Sequence, residues 1–164
     1  MAGRRVGITG HRDLGAAGAW VAASLFDLYM SESAVEVLTS LAEGADQIAA
    51  NVAVARALGL YAIVPSEQYE KSFRDAFSRK DYFRLLALSR GVQTLPYAEP
   101  SEEAFFAAGR KVVEQCDVLF AVWDGLPAKG PGGTGDVVEY ALAYRRRVVQ
   151  LDPVRRVVTS LPQG

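Results

Sequence analysis

The chain has 164 residues, half of them hydrophobic, which suits one domain with a sizeable core and excludes long disordered or collagen-like stretches. Eighteen Lys and Arg against 19 Asp and Glu leave a net charge of -1. That balance lacks the concentrated basic surface of a general polyanion binder, so a nucleic-acid partner is not expected.

In chain order, Arg4 and Arg5 precede an apolar run that breaks at Gly10-His11-Arg12, too short for a signal-peptide core. No stretch is long enough to cross a membrane, so a cytoplasmic protein without a membrane partner is expected. Short β-branched runs predict strands at Arg5–Thr9, Val35–Thr39, Leu60–Val64, Val92–Leu95, Val118–Trp123 and Val148–Leu151. The first, third and fifth are nearly continuous apolar runs, as in strands covered on both faces. Between them, helical spacing recurs in Val21, Leu25 and Leu28, in Ile48, Val52 and Ala55, and in Leu85 and Leu88. Phe105, Ala108 and Val112, then Val137, Ala141 and Tyr144, continue it. Strand–helix alternation with short connections predicts an α/β fold: one doubly wound, mostly parallel sheet with helices on both faces, spanning residues 1–164 as a single domain. Val154–Thr159, bracketed by Pro153 and Pro162, adds at most a short edge strand. Pro65–Lys80 is the least regular stretch and is expected to form a wall or lid of a ligand site.

Three strand ends carry chemistry. The first runs into Thr9-Gly10-His11-Arg12, where a glycine admits close approach and a hydroxyl, an imidazole and a guanidinium are presented together. His11 is the only histidine and Cys116 the only cysteine, so neither a disulfide nor a zinc site is expected, and Cys116 reads as core packing. The second strand leads through Ser40, Gly44 and Asp46 into a helix of small residues, whose amino terminus favours an anion. The plainer alternative is an ordinary helix start in which Ser40 or Asp46 organises the turn. The fifth strand is followed by Asp124 and by five glycines within eleven residues, among them Gly132, Gly133 and Gly135 around Thr134. This predicts a cradle of backbone donors, although it is neither a Walker A loop nor the dinucleotide fingerprint. The ligand expected is a small phosphorylated nucleotide, with no metal and no further cofactor.

Together Gly7–Arg12, Leu41–Asp46 and Asp117–Glu139 resemble the SLOG superfamily, whose members include DNA-processing proteins and the LOG phosphoribohydrolases. The likeness spans nearly the whole chain and implies a Rossmann-like nucleotide-binding domain, with a nucleoside phosphate or an ADP-ribose-like molecule as ligand. Pro131, Gly132, Gly133, Gly135 and Glu139 match the LOG pattern Pro-Gly-Gly-x-Gly-Thr-x-x-Glu in register, and Arg110-Lys111 stands where LOG enzymes carry an Arg-Lys pair. The resemblance thus implies a second reading, an N-glycosidase releasing a base from a nucleoside 5′-monophosphate, with Glu139 and Arg110 catalytic. It also implies a homodimer, to which Phe105-Phe106, Tyr140 and Tyr144 offer aromatic surface.

Two departures stand out. Asp136 occupies the place of the family's threonine, and a carboxylate about 4 Å from a phosphate charge repels it by roughly 4 kcal/mol at an effective dielectric near 20. Either Asp136 turns away and Thr134 supplies the hydroxyl, or the ligand presents ribose there. The Asp124–Gly130 segment, moreover, lengthens the loop beyond the LOG pattern, toward SLOG proteins that look like nucleotide sensors. A more distant likeness is to nucleoside deoxyribosyltransferases, whose glutamate falls nearer Val137. Single-stranded nucleic-acid binding, the reading suggested by the DNA-processing relatives, is opposed by the neutral charge.

Overall fold

The computed structural model describes residues 3–130 and 132–162. Pro131 of the LOG-like motif lies outside the described residues. The strands are β1 (Arg4–Gly10), β2 (Ala34–Thr39), β3 (Gly59–Val64), β4 (Gly91–Thr94), β5 (Val118–Val122), β6 (Arg147–Asp152) and β7 (Val157–Ser160). The helices are α1 (Gly18–Ser31), α2 (Ala45–Ala55), α3 (Ala76–Leu88), α4 (Glu102–Gln115) and α5 (Thr134–Ala143). The strands form one sheet in the order β4-β3-β2-β1-β5-β6-β7, parallel except where β7 returns antiparallel to β6. This is the α/β, doubly wound architecture that strand–helix alternation requires. The edge strand lies at Val157–Ser160, C-terminal to Pro153; the Asp152 side chain accepts the Val154 and Arg155 N–H groups and so organises the turn into it.

All five residues of β5 are buried, and alternation splits them between two cores. Val118, Phe120 and Val122 join the core under α1, α2 and α3, with Val21, Leu25, Ala49, Ala53 and Leu85. Leu119 and Ala121 face α4 and α5, packing with Ala108, Val112, Val137, Val138 and Ala141. Cys116 is in this second core, and burial pushes its thiol up to about 11, as suits an inert packing residue. Among the described residues no helix is long and apolar enough to cross a membrane.

Winding runs outward from β1 in one direction through β2, β3 and β4 and in the other through β5 and β6. The reversal therefore falls between β1 and β5, with Gly10 paired to Val122 at their carboxyl ends. A crevice opens there because the connections leave toward opposite faces.

Candidate functional site

The loop leaving β1 is fixed by its own backbone. The His11 N–H donates to the Val122 carbonyl at 3.1 Å, and the His11 carbonyl accepts the Ala45 N–H at 3.1 Å. The ends of β1, β5 and α2 thus meet at one residue. The His11 Nε2 accepts the Asp124 N–H at 3.2 Å and lies 3.3 Å from Asp124 Oδ1. Gly44 is required behind this loop: its φ is +80°, and a Cβ there would stand 2.2 Å from the Arg12 carbonyl oxygen.

The α2 entrance is tightly self-bonded. Leu41 adopts a left-handed φ of 57°, buried, with its N–H donated to Thr39 Oγ1 at 3.0 Å. The Asp46 carboxylate turns back to accept the Ala42 N–H at 3.3 Å. Burial, the dominant influence, pushes the Asp46 carboxyl up to about 6, against the lowering by the Ala42 N–H, the Thr39 hydroxyl and the nearby Arg12 charge. Glu43 is also committed, accepting the Arg74 N–H at 2.7 Å and its Nε at 3.1 Å. The first-turn carboxylate of α2 is therefore bonded to the loop before the helix, and a ligand's anion at this helix start would lie beside the protein's own charge.

The loop after β5 is pinned at both ends. Trp123 Nε1 donates to the Leu126 carbonyl at 2.8 Å, and Asp124 Oδ1 accepts the Leu126 N–H at 3.0 Å. At the far end Gly132 has a φ of +81° and lies so close to α4 that a Cβ would be 2.7 Å from the Glu102 carbonyl oxygen. The Asp136 carboxylate, in the first turn of α5, accepts the Gly132 N–H at 2.9 Å. Of the two arrangements open to Asp136, it takes the one that turns away from the cleft, and Thr134 lines the cleft instead.

These loops bound a cleft of about 550 Å³, within the range of small-molecule sites. Of the residues singled out in the sequence, Thr9, Gly10, His11, Arg12, Ser40, Asp46, Asp124, Gly132, Gly133, Thr134 and Gly135 line it. Gly44 does not; it shapes the wall from behind. Glu139 is exposed on α5, outside the lining, because Val137, Val138 and Ala141 turn the opposite side of that helix into the core. Arg110 is also elsewhere, in a separate hollow of about 320 Å³ with Lys111, Glu114 and Tyr140, its guanidinium over the Phe106 ring at 5.0 Å. The pair that the LOG resemblance makes catalytic is therefore not brought to the glycine-rich loop in this chain.

Sequence reasoning missed part of the wall. Phe105 carries the Arg12 guanidinium 5.0 Å from its ring centre and packs edge-on with Tyr69 at 6.1 Å; it belongs to the cleft and its underlying aromatic cluster, not to an exposed interface. Pro65, Tyr69 and Arg74 come from the irregular stretch expected as a wall. Tyr69 and Phe73 bury themselves with Tyr82, which makes this wall packed rather than a loose lid. Glu102 and Lys129 complete the rim, and no local pattern in the sequence announces them. Among the described residues no group of three or more His, Cys, Asp or Glu is placed to hold a metal ion.

No protein-family model matches the sequence, and no curated protein matches it. Solved structures do. DNA processing protein A from Streptococcus pneumoniae aligns with a TM-score of 0.66 and 18% identity, over 90% of this chain and 50% of that one. DNA processing protein A from Helicobacter pylori, described for its single-stranded DNA binding mode, gives 0.65 and 17%, over 89% and 64%. The molybdenum cofactor binding protein from Rippkaea orientalis gives 0.59 and 18%, over 92% and 77%. The chain thus spans half to just under two thirds of the length of the DNA processing proteins. These likenesses establish the fold, a Rossmann-like α/β architecture shared with those proteins. They also correct the expectation that nucleic acid is not a partner: a neutral net charge does not exclude it, since a protein of this same fold binds single-stranded DNA. Net charge averages over the whole surface, whereas a strand is held by a local one.

Proposed function

We propose that this chain binds a phosphorylated, nucleotide-type ligand in the cleft between β1 and β5. The observation that carries this reading is the convergence, at the point where the winding reverses, of Arg12 and His11 with the first turn of α5. The Thr134 N–H at the start of that helix has no partner among the described residues, and its side chain and Gly135 line the same cavity. The N–H groups of a helix's first turn, a hydroxyl and a guanidinium are the donors a phosphate group takes. Phe105 and Tyr69 supply apolar wall for a sugar or base. The reading is one of binding. Base release of the LOG kind would draw on Glu139, and Glu139 is outside the cleft.

Calorimetric titration of the protein with the common nucleoside mono- and diphosphates tests this reading. Saturable binding that Arg12→Ala weakens is expected; the absence of binding by every nucleotide would remove it. A second reading, single-stranded nucleic acid as ligand, is favoured by the likeness to DNA processing protein A, and an oligonucleotide belongs in the same titrations.

A further inference from the structure

The cleft is lined by more carboxylates than cations. Its lining cations are Arg12, Arg74 and Lys129. Arg74 is already neutralised by Glu43, and Arg12 faces the field of Asp46. The lining carboxylates are Asp13, Asp46, Glu102 and Asp124. A fifth, Asp136, sits directly behind the cradle with Gly132 as its hydrogen-bond donor. Sites for terminal phosphates normally surround the group with uncompensated cations and free amides, because two charges must be matched. Here both helices that open on the cavity carry an aspartate in the first turn, its carboxylate bonded to the loop that precedes the helix.

We propose that the cleft selects a phosphodiester, which carries one negative charge, against a terminal phosphate monoester, which carries nearly two at neutral pH. This rests on the nucleotide reading above and narrows its ligand class. Repulsion between the ligand and Asp136 or Glu102 scales with the ligand's charge, so the second charge of a monoester doubles the penalty. Attraction to Arg12 and Lys129 grows with the ligand's charge as well, so the balance decides, and the lining carboxylates outnumber the lining cations four to three. Charge is what separates the two ligands. A phosphodiester reaches such a site from a small nucleotide ester or from the backbone of a single strand.

The test compares each of the four ribonucleoside 5′-monophosphates with its 5′-methyl ester, by calorimetry at pH 7.5 and pH 5.5. For the best-bound base, the ester is expected to bind at least tenfold more tightly at pH 7.5. The gap should narrow toward pH 5.5, where the monoester gains its second proton (pKa about 6) and becomes a monoanion. The ester does not titrate in this window, so it reports any change in the protein's own groups, Asp46 included. Asp136→Asn, which keeps the acceptor for Gly132, and Glu102→Gln on the exposed rim should each improve monoester affinity relative to the ester. A monoester as tight as the ester at pH 7.5 overturns the proposal while leaving the nucleotide reading intact. Failure of every nucleotide and ester overturns both. A mixed-sequence deoxydodecamer, titrated in parallel, identifies the source: tight binding that weakens with salt points to a strand, and binding of the small esters alone points to a small molecule.

Discussion

His11 Nε2 lies 3.3 Å from Asp124 Oδ1 and also accepts the Asp124 N–H, so one side chain ties the end of β1 to the end of β5 where the winding reverses. Because Asp124 in turn accepts the Leu126 N–H, the same contact fixes the base of the glycine-rich loop.

Replacing His11 with alanine is expected to destabilise the protein by about 1 kcal/mol, the net scale of one hydrogen bond with a partly exposed partner. Amide exchange in Gly125–Gly130 should accelerate in step. His11→Asn restores an acceptor and should recover part of the loss. Urea unfolding with hydrogen exchange checks this, and an unchanged loop in His11→Ala would show that Asp124 is held without the imidazole. Burial alone raises the Asp124 carboxyl, but the Leu126 N–H and His11 outweigh it, so its folded value lies below the ordinary one. The sign follows: its contribution is present above the unfolded carboxylate range and is lost as pH falls through the folded value.

At the opposite end of the sheet, Glu32 gathers Arg4 at 2.6 Å and Arg147 through two contacts, while itself only 6% exposed. The hydrogen bond from Arg147 is the main cause that holds its carboxyl below the usual range. The unfolded chain therefore binds its proton first, near pH 4.3, and the stability Glu32 supplies is present above that pH and lost as the pH falls through the lower folded value. Glu32→Gln should cost about 1.5–3 kcal/mol at pH 7, the range for hydrogen bonds to charged groups, and should flatten the acid limb of the stability curve. Equal slopes for wild type and variant below pH 4.5 would assign the acid sensitivity to other carboxylates.

Most of the sheet was legible because β1, β3 and β5 are apolar runs bounded by polar or glycine-rich segments, a pattern that buried parallel strands impose. The loops of the cleft were legible for a related reason: a strand that ends on glycine and is followed by His, Arg or Asp leaves few placements for those groups other than the carboxyl edge of the sheet. Two features were not. Whether Asp46 and Asp136 face a ligand or turn back on their own helix starts depends on rotamers and loop closure, to which spacing is blind. Glu139 is the more instructive case. A motif register placed it at the ligand, yet the stripe Val137–Ala141, already visible in the sequence, fixes the phase of α5. At about 100° per residue, Glu139 stands roughly 200° from Val137, on the side away from the core.

Asp46 should make the protein less stable as the solution becomes more alkaline. Its folded value, about 6, is raised above the unfolded value of about 3.9, so the folded protein holds the proton longer. The stabilising contribution is complete below pH 4 and is lost as pH rises through 6. Two pKa units correspond to about 3 kcal/mol, an upper figure because relaxation around the ionised group recovers part of it. Asp46→Asn keeps an acceptor for the Ala42 N–H and cannot ionise. It should unfold at higher urea than wild type at pH 8 and at nearly the same urea at pH 4.5. A wild type no more labile at pH 8 than its Asn variant would mean that Arg12 and the Thr39 hydroxyl stabilise the carboxylate fully.

Arg12 and Glu139 separate ligand binding from the catalysis that the LOG resemblance implies. Arg12 lines the cleft with its guanidinium lying on Phe105, whereas Glu139 is exposed on the far side of Val137 and Val138. If the cleft holds a nucleotide, Arg12→Ala removes a charged hydrogen-bond donor, a loss of about 1.5–3 kcal/mol, or roughly ten- to a hundredfold in affinity. Part of that loss arises indirectly, since Arg12 also lowers the Asp46 carboxyl, and without it Asp46 should take up its proton at still higher pH. Measuring Arg12→Ala in the Asp46→Asn background isolates the direct contact, because the two residues are coupled and their effects will not add. Glu139→Gln, by contrast, should leave nucleotide affinity within about twofold, as a solvent-facing change on the side of α5 turned away from the cleft does. Wild type incubated with nucleoside monophosphates should release no free base by chromatography. Base release that Glu139→Gln slows a hundredfold would place a catalytic carboxylate where this fold puts only solvent, and the binding-only reading would then have to yield to an enzyme whose site is completed from outside the cleft.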